Sequence, residues 1–273
     1  MPPKSYKTAK LEDGTQIYCL NVPEAQMLDY HINGYMHHDI ALKDGDILFD
    51  VGANIGVLGV RTVQRYPNAQ VYAFEPLPDI FDVLKANAQK YGDGRLKLFN
   101  IGISDAAGNT TFSYYPNSPA LSTAHDEDWQ HDPTAFQHAV EGNLQHLPPQ
   151  YRMAKYLPGF VIKLIARWLR RGRKQINCEL KTLSQIIDEN KVSHINLLKI
   201  DCEGAELRVL QGIQPQHWPL IRQIVAEVHD IDGRVSSVTQ LCQQAGFDKI
   251  IVEKDAIMGN TALYNIFATR KPA

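Results

Sequence analysis

Residues 47–56 read ILFDVGANIG, a largely apolar run that leads through a glycine-containing turn into a helical pattern. Such a run is typical of a strand that is buried on both faces of a parallel sheet. In the turn, Gly52 permits a ligand to approach the backbone, Asn54 tolerates a positive φ, and Gly56 permits close packing of the helix against the strand. The stretch therefore predicts a strand, a ligand-binding turn and a helix in direct succession.

The alternation of strand and helix extends to both sides of this stretch. Before a long interruption at residues 115–176, the pattern predicts helices at 55–66 and 80–91 and strands at 71–76, 96–101 and 110–114. After it, the predicted helices are 182–190, 205–211 and 235–245, and the predicted strands are 195–200, 221–228, 247–252 and 263–268. This alternation predicts an α/β fold with a mostly parallel sheet covered by helices on both faces, in which the last two strands form an antiparallel pair.

Composition and charge narrow the class of protein. The 273 residues are 44% hydrophobic and 21% charged, which is enough for a large core. A net charge of −2 argues against a surface built to bind nucleic acid. The four cysteines form no CxxC pair, which argues against a disulfide framework or a zinc site. The start carries no signal-like apolar region, and we expect a soluble, cytoplasmic protein.

Three segments are predicted. Residues 1–45 form an N-terminal cap or lid, and residues 46–273 form the main domain, which is interrupted by a helical insertion at 115–176 that serves as a substrate lid. The chain from 152 to 174 holds eight basic residues and no acidic one. A basic amphipathic helix within 160–174 has three interpretations: a lid with a solvated basic face, a docking site for an acidic acyl carrier protein, or a peripheral membrane contact. A homodimer in which the insertion buries its apolar stripe is a further possibility that the sequence leaves undecided.

Polar residues at the strand ends are candidates for a nucleoside site. Asp50 ends the first strand, where a carboxylate meets an amine better than a pyrophosphate. Glu75 ends the second strand, where an acid can accept hydrogen bonds from both ribose hydroxyls. Ser104 and Asp105 follow the third strand, where an adenine edge could be read. Asn54 stands where the dinucleotide fingerprint requires its middle glycine, which disfavours a nicotinamide cofactor.

Four motifs together resemble the FkbM family of S-adenosylmethionine-dependent methyltransferases. They are residues 50–56, 74–76, 101–105 and, as the most discriminating, 199–206 with the sequence KIDCEGAE. The resemblance implies a class I, Rossmann-like sheet of six parallel strands and one antiparallel strand. It implies S-adenosylmethionine as methyl donor, S-adenosylhomocysteine as product, and O-methylation, frequently of hydroxyls on polyketides, sugars or lipids. Cys202 departs from the aliphatic residue usual there, and the insertion prevents any transfer of the acceptor.

O-methylation requires that a proton leave the acceptor hydroxyl. Asp201 and Glu203 lie just past the carboxyl end of one predicted strand, and Glu227 and His229 end the next, where their spacing puts both side chains on one face. His229 is the candidate general base because histidine ordinarily titrates near neutral pH. Glu227 or Asp201 is expected to orient it, and Lys199 to pair with a carboxylate in the site. The alternative for each is a structural or solvated side chain.

A metal-dependent mechanism is a less favoured alternative. Asp201, Glu227 and His229 are the candidate ligands for Mg²⁺, but that ion prefers an all-oxygen octahedron. The expected acceptor is a hydroxyl of a small molecule, most of all a natural-product intermediate that is free or carrier-tethered. Other functions left open are sugar- or lipid-directed O-methylation, an inactive S-adenosylmethionine-binding module and a nucleotide-dependent oxidoreductase. Methylation of a nucleic-acid base is disfavoured, because an Asn-Pro-Pro-Tyr-type motif is absent.

Overall fold

The computed structural model describes residues 6–124, 153, 156–254 and 262–271. The strands of these ranges are β1 Lys7–Lys10, β2 Gln16–Cys19, β3 Ile47–Val51, β4 Gln70–Phe74, β5 Leu96–Phe99, β6 Gly102–Ile103, β7 Gly108–Tyr114, β8 Lys174–Lys181, β9 Leu197–Ile200, β10 Gln223–His229, β11 Lys249–Lys254 and β12 Leu263–Thr269. The α-helices are α1 Val22–Ile32, α2 Val57–Arg65, α3 Pro78–Tyr91, α4 Gly159–Leu169, α5 Leu183–Glu189, α6 Glu206–Gln211 and α7 Arg234–Gln244.

The main sheet has seven strands in the order β11-β12-β10-β9-β3-β4-β5. Strand β12 is antiparallel to both of its neighbours, and the other described pairings, from β10 to β5, are parallel. The class I, Rossmann-like sheet with an antiparallel final pair, which the sequence predicts, is therefore confirmed. The chain leaves β3 toward β4 on one side, and β9 lies on the other, so the strand order reverses beside β3. Ligands of open α/β sheets bind at this reversal, beyond the carboxyl ends of the strands.

Helices cover both faces of the sheet because its central strands are buried on both. Successive side chains of a strand point to opposite faces. Leu48 of β3 accordingly packs among residues of α2, α3 and the N-terminal segment, and Phe49 packs among residues of α5, α6 and α7. Both side chains are fully buried. The continuous apolar run that predicted β3 thus reflects two hydrophobic layers rather than one.

The N-terminal segment is fastened to the layer formed by α2 and α3. The buried Asp29 of α1 accepts a hydrogen bond from Arg61 Nε of α2 at 2.7 Å. Asn87 of α3 accepts from the Tyr18 N–H of β2 and donates to the Ile55 carbonyl, both at 2.8 Å. These contacts fix the end of α1 above the edge where β3 and β9 end.

A second, three-stranded sheet has the order β6-β8-β7. The sequence analysis predicts no strand at Lys174–Lys181, whereas the structure has strand β8 there. Strand β8 is mostly exposed or half-buried, so it lacks the apolar run by which the main-sheet strands are recognised. The basic segment 160–174 is likewise not one helix, because α4 ends at Leu169 and Lys174 begins β8.

Candidate active site

A cavity of about 320 Å³ lies beyond the carboxyl ends of β3, β4, β9 and β10. This volume is at the lower end of the range of about 300–1,000 Å³ that is typical of small-molecule sites. The opposite wall comes from α1, from the turn that follows it and from residues 119–124. The predicted site residues that line it are Asp50, Gly52, Asn54, Glu75, Ser104, Lys199, Asp201 and Glu227. The fold therefore brings most of the predicted residues to one cavity.

The turn after β3 needs its glycines for reasons internal to the chain. Gly52 has φ +75°, and a Cβ placed there would lie 1.7 Å from the carbonyl oxygen of Asp201. Gly56 has φ +86°, and its Cβ would lie 2.5 Å from Leu84 Cδ1 of α3. The predicted positive φ of Asn54 is present at 49°. The close approach that the sequence assigned to a ligand at Gly52 is thus made by the backbone of the loop after β9.

Asp50 and Lys199 form a buried ion pair at the floor of the cavity. Lys199 Nζ lies 3.2 Å from Asp50 Oδ1 and 3.5 Å from Asp201 Oδ2, and it donates to the Gly52 carbonyl at 2.8 Å. Burial raises the pKa of Asp50, and Lys199 opposes the rise. Burial would lower the pKa of Lys199, but Asp50 and Asp201 outweigh it and raise that pKa. Two carboxylates sharing one ammonium leave a negative charge that suits a cationic ligand.

Asp50 is also short of hydrogen bonds. Its side chain is almost fully buried, and neither oxygen has a well-aligned hydrogen-bond donor among the described residues. A buried polar atom of this kind generally has a functional explanation. The ion-pair partner of Asp50 in the described structure is the Lys199 ammonium at 3.2 Å, and contact with the ammonium of a bound ligand stays a prediction from the sequence.

Glu75 is held by backbone groups on both sides of the cavity wall. Its Oε1 accepts from the Leu77 N–H at 2.9 Å, and its Oε2 accepts from the Asn54 N–H at 3.1 Å. Burial raises the pKa of Glu75 to about 7, although both hydrogen bonds act to lower it. Nearby, the buried Ser104 hydroxyl donates to Asp105 Oδ1 at 2.9 Å. Asp105 itself is exposed and does not line the cavity.

His229 ends β10 beside a cluster of carboxylates. Its Nε2 lies 3.5 Å from Glu203 Oε2, and its Nδ1 lies 3.9 Å from Glu206 Oε1. Glu203 lines the cavity, whereas His229 is not among the residues that line it. Burial, and then the charges of Asp201 and Glu206, raise the pKa of Glu203 well above its ordinary value. A His–carboxylate pair at the cavity edge can accept a proton, and Glu203 is the partner that the sequence analysis did not assign.

Tyr35 is a residue of the cavity that the sequence analysis does not name. It follows α1, lines the cavity and donates from its hydroxyl to Asp201 Oδ2 at 2.9 Å. Burial alone would raise the pKa of Asp201, but Lys199 and Tyr35 outweigh it and hold that pKa below its ordinary value. No motif surrounds Tyr35 in the sequence, so only the packing of α1 on the sheet reveals its position.

The candidate metal ligands Asp201, Glu227 and His229 do not assemble into a metal-binding group. Among the residues that the structure describes, no set of three or more His, Cys, Asp or Glu side chains could hold a metal ion. A membrane-crossing helix is also not found in the described ranges, because no helix there is both long and apolar enough.

The strand order and the antiparallel strand β12 define a class I, Rossmann-like fold, with acids at its strand ends. The sequence profile of the methyltransferase FkbM domain matches residues 50–249, and the chain belongs to this family. The predicted resemblance is confirmed.

The chain is similar to two named relatives and, in fold, to one solved structure. It is 33% identical over 268 residues to the 31-O-demethyl-FK506 methyltransferase FkbM of Streptomyces tacrolimicus, covering 97% of both chains. It is 31% identical over 275 residues to the AMB antimetabolite synthetase AmbE of Pseudomonas aeruginosa, covering 98% of this chain but 13% of that protein. The crystal structure of a methyltransferase FkbM from Methylobacillus flagellatus aligns with a TM-score of 0.52 at 12% identity, over 89% of this chain and 50% of that one. That alignment supports the fold alone.

Proposed function

We propose that this chain is an S-adenosylmethionine-dependent O-methyltransferase that acts on a hydroxyl group of a small molecule. Membership in the FkbM methyltransferase family implies this methyl donor. The observation that carries the proposal is the cavity in which Asp50, Glu75 and Asp201 converge at the strand-order reversal. Its polar groups divide into a part that suits a nucleoside with a cationic amino-acid tail and a part that suits proton transfer.

The residues of the cavity fit the donor. Asp50, buried and without a well-aligned hydrogen-bond donor among the described groups, suits the ammonium of an amino-acid tail. Glu75 has two carboxylate oxygens at the end of β4, each with a lone pair beyond its backbone hydrogen bond, which suits the two ribose hydroxyls. Ser104 lines the cavity on the adenine side. These assignments agree with the roles expected from the sequence.

When bound, S-adenosylmethionine supplies a methyl group on a good leaving group, and the remaining work falls to the acceptor side. The acceptor oxygen must be held in line with the methyl group, and its proton must be removed. Glu203 lines the cavity, and Nε2 of His229 lies 3.5 Å from its Oε2, so this pair is the candidate for taking up the proton, through a closer approach or one bridging water. Asp201, held by Tyr35 and Lys199, is placed to orient the acceptor hydroxyl.

The acceptor that the proposal favours is a natural-product intermediate, free or carrier-tethered. The name of the FK506 methyltransferase relative specifies an oxygen acceptor, and the chain covers 97% of that protein. The other relative is named an antimetabolite synthetase, and this chain covers 13% of it. Sugar- or lipid-directed O-methylation is the alternative, and a module that binds the donor without catalysis is another.

A transfer assay tests the proposal. Purified protein is incubated with methyl-labelled S-adenosylmethionine and a panel of hydroxylated macrolides, glycosides and hydroxy lipids, and products are identified by mass spectrometry and NMR. We expect a methoxy product from one class and S-adenosylhomocysteine in equal amount. The control is the same acceptor with its hydroxyl already methylated. Methylation at nitrogen or carbon would contradict the proposal, and donor binding with no transfer to any class would favour the inactive module.

A further inference from the structure

A stripe of exposed apolar side chains runs along α4 and the residues before it. Met153, Tyr156, Phe160, Leu164 and Trp168 are 77%, 70%, 67%, 56% and 55% exposed. On α4 itself, Phe160, Leu164 and Trp168 are spaced by four residues, which is the spacing of one helix face, whereas Met153 and Tyr156 lie before the helix begins. Among the described residues they make up most of the strongly exposed large apolar side chains. This set, here called the α4 stripe, is larger than the scattered apolar residues of an ordinary surface.

The α4 stripe is not needed to pack the helix. The opposite side of α4 buries Ile162 and Ala166 against Leu121. At 100° per residue, Phe160, Leu164 and Trp168 span an arc of about 80° that points away from this contact. The helix is therefore apolar on two sides, and the outer side has no partner in the described structure that would account for its composition.

Cations follow one edge of the α4 stripe. Lys163, Arg167 and Arg171 repeat at the same four-residue spacing, and all three are exposed. No carboxylate of the described residues forms an ion pair with any of them, and the sequence from 153 to 174 contains no Asp or Glu. Apolar side chains beside a row of Lys and Arg are the composition of a helix that lies in the interface of an anionic membrane.

We infer that the α4 stripe and its basic edge dock on an anionic lipid surface. The cations match the phosphates of acidic headgroups, and the phenyl, indole and aliphatic groups match the acyl boundary just below them. A second copy fits less well, because two-fold pairing of the stripes brings two purely basic edges together without a carboxylate on either helix. The side chains project from the surface, which suits a deformable bilayer better than a rigid protein face.

Docking on this face places the cavity close to the lipid. Leu121 packs under α4 and also lines the cavity. Asn117, four residues before Leu121, donates hydrogen bonds from its side-chain amide to the Trp168 carbonyl at 2.9 Å and to the Arg171 carbonyl at 3.2 Å. The width of α4 and the side chain of Leu121 therefore separate the proposed lipid contact from the cavity.

Vesicle flotation tests the inference. Full-length protein is mixed with vesicles of phosphatidylglycerol and phosphatidylcholine, or of phosphatidylcholine alone. We expect binding to the anionic vesicles that weakens as salt is raised from about 0.1 M to about 1 M, where the Debye length falls from about 10 Å to about 3 Å. Leu164→Ser should weaken binding by about tenfold or more, the value of one buried leucine side chain. Lys163→Glu should weaken it by about fivefold or more.

Control substitutions outside the α4 stripe test whether a loss of vesicle binding is specific to this surface. Val252→Ser removes an exposed apolar side chain of β11, and Lys85→Glu reverses an exposed charge of α3; both should leave vesicle binding unchanged. The inference would be overturned by absence of binding to anionic vesicles at low salt, or by equal losses in the control variants. It would also be overturned if Leu164→Ser changed only the oligomeric state, or only the capture of an acidic acyl carrier protein, with no vesicle binding by the parent protein.

Discussion

Two buried carboxyl groups in the cavity wall have raised pKa values, and their different contacts give them different expected roles. Glu24 of α1 and Glu75 after β4 both line the cavity, and burial raises the pKa of each carboxyl to about 7. They differ in what they contact. Glu24 accepts a hydrogen bond from the Ala120 N–H, which belongs to the same wall of the cavity, whereas Glu75 accepts one from the turn that precedes α2. Only Glu75 is in the position proposed for ribose recognition.

Donor binding should depend on pH through Glu75. Ribose hydroxyls donate to the ionised carboxylate, so the affinity for S-adenosylhomocysteine should fall as the pH drops below about 7, where Glu75 takes up a proton. Glu75→Gln should weaken binding by about tenfold or more at pH 8, the cost of one hydrogen bond to a charged group, and should flatten the profile. Calorimetric titration at several pH values measures both.

Glu24→Gln is the matched control, because its carboxyl has the same raised pKa and lines the same cavity. It should retain the pH profile of donor binding. If Glu24→Gln flattened the profile and Glu75→Gln did not, the assignment of Glu75 to the ribose would be wrong.

Turnover, by contrast, should depend on His229. His229→Ala should leave donor affinity within a factor of about two and lower kcat by about 10²–10⁴, the usual contribution of a general base. His217 is the control, since it also contacts a carboxylate, at 3.1 Å to Asp188, but lies outside the cavity. His217→Ala should retain kcat for the folded fraction. Full turnover by His229→Ala would place the proton acceptor elsewhere.

At the scale of elements, the turn between β3 and α2 is locked to the loop after β9. Gly52→Ala brings a methyl group against the Asp201 carbonyl and forces a positive φ on alanine. The strain costs about 1–2 kcal/mol and the overpacking about 1–3 kcal/mol, so we expect a loss of about 2–5 kcal/mol in the free energy of unfolding. Urea denaturation measures this loss.

Gly45→Ala provides the comparison for that experiment. Gly45 has φ +86°, but no heavy atom lies within 4 Å of the Cβ that it would gain. Its substitution should cost only the backbone strain of about 1–2 kcal/mol. Equal losses in the free energy of unfolding of the two variants would show that close packing of the turn against the β9 loop does not contribute to stability.

The elements that could be predicted are those with strong periodic patterns. Strands β3, β4, β9 and β10 have apolar runs because both of their faces are buried, and their order along the chain fixes the sheet. Strand β8 has no such run, but Ile176, Cys178 and Leu180 alternate with polar residues, which is the pattern of a half-buried strand, so this alternation is the signal that could have revealed it. The helix at 160–174 was predicted with the right character but ends at Leu169.

The candidate site was predictable to the extent that it lies at strand ends. Asp50, Glu75, Lys199 and Asp201 follow from the rule that parallel strands bring their carboxyl ends to one edge. Tyr35 and the contact of Glu203 with His229 depend on how a helix and a loop pack, and no local pattern encodes either one.

At the scale of the whole molecule, one sheet edge joins three parts of the chain around a single cavity. The strand ends supply the acids, the N-terminal segment supplies Tyr35, and residues 119–124 complete the wall on the side of α4. We propose that this cavity binds S-adenosylmethionine rather than a nicotinamide dinucleotide. Asn54 in place of the fingerprint glycine and the acid Asp50 at its floor both favour that choice.

Isothermal titration of the purified protein with S-adenosylhomocysteine, and separately with NADH, tests this claim most directly. We expect one site of micromolar affinity for S-adenosylhomocysteine, unchanged by EDTA or by added Mg²⁺, and no heat from NADH. Binding of NADH in preference to S-adenosylhomocysteine, or binding of neither, would contradict it.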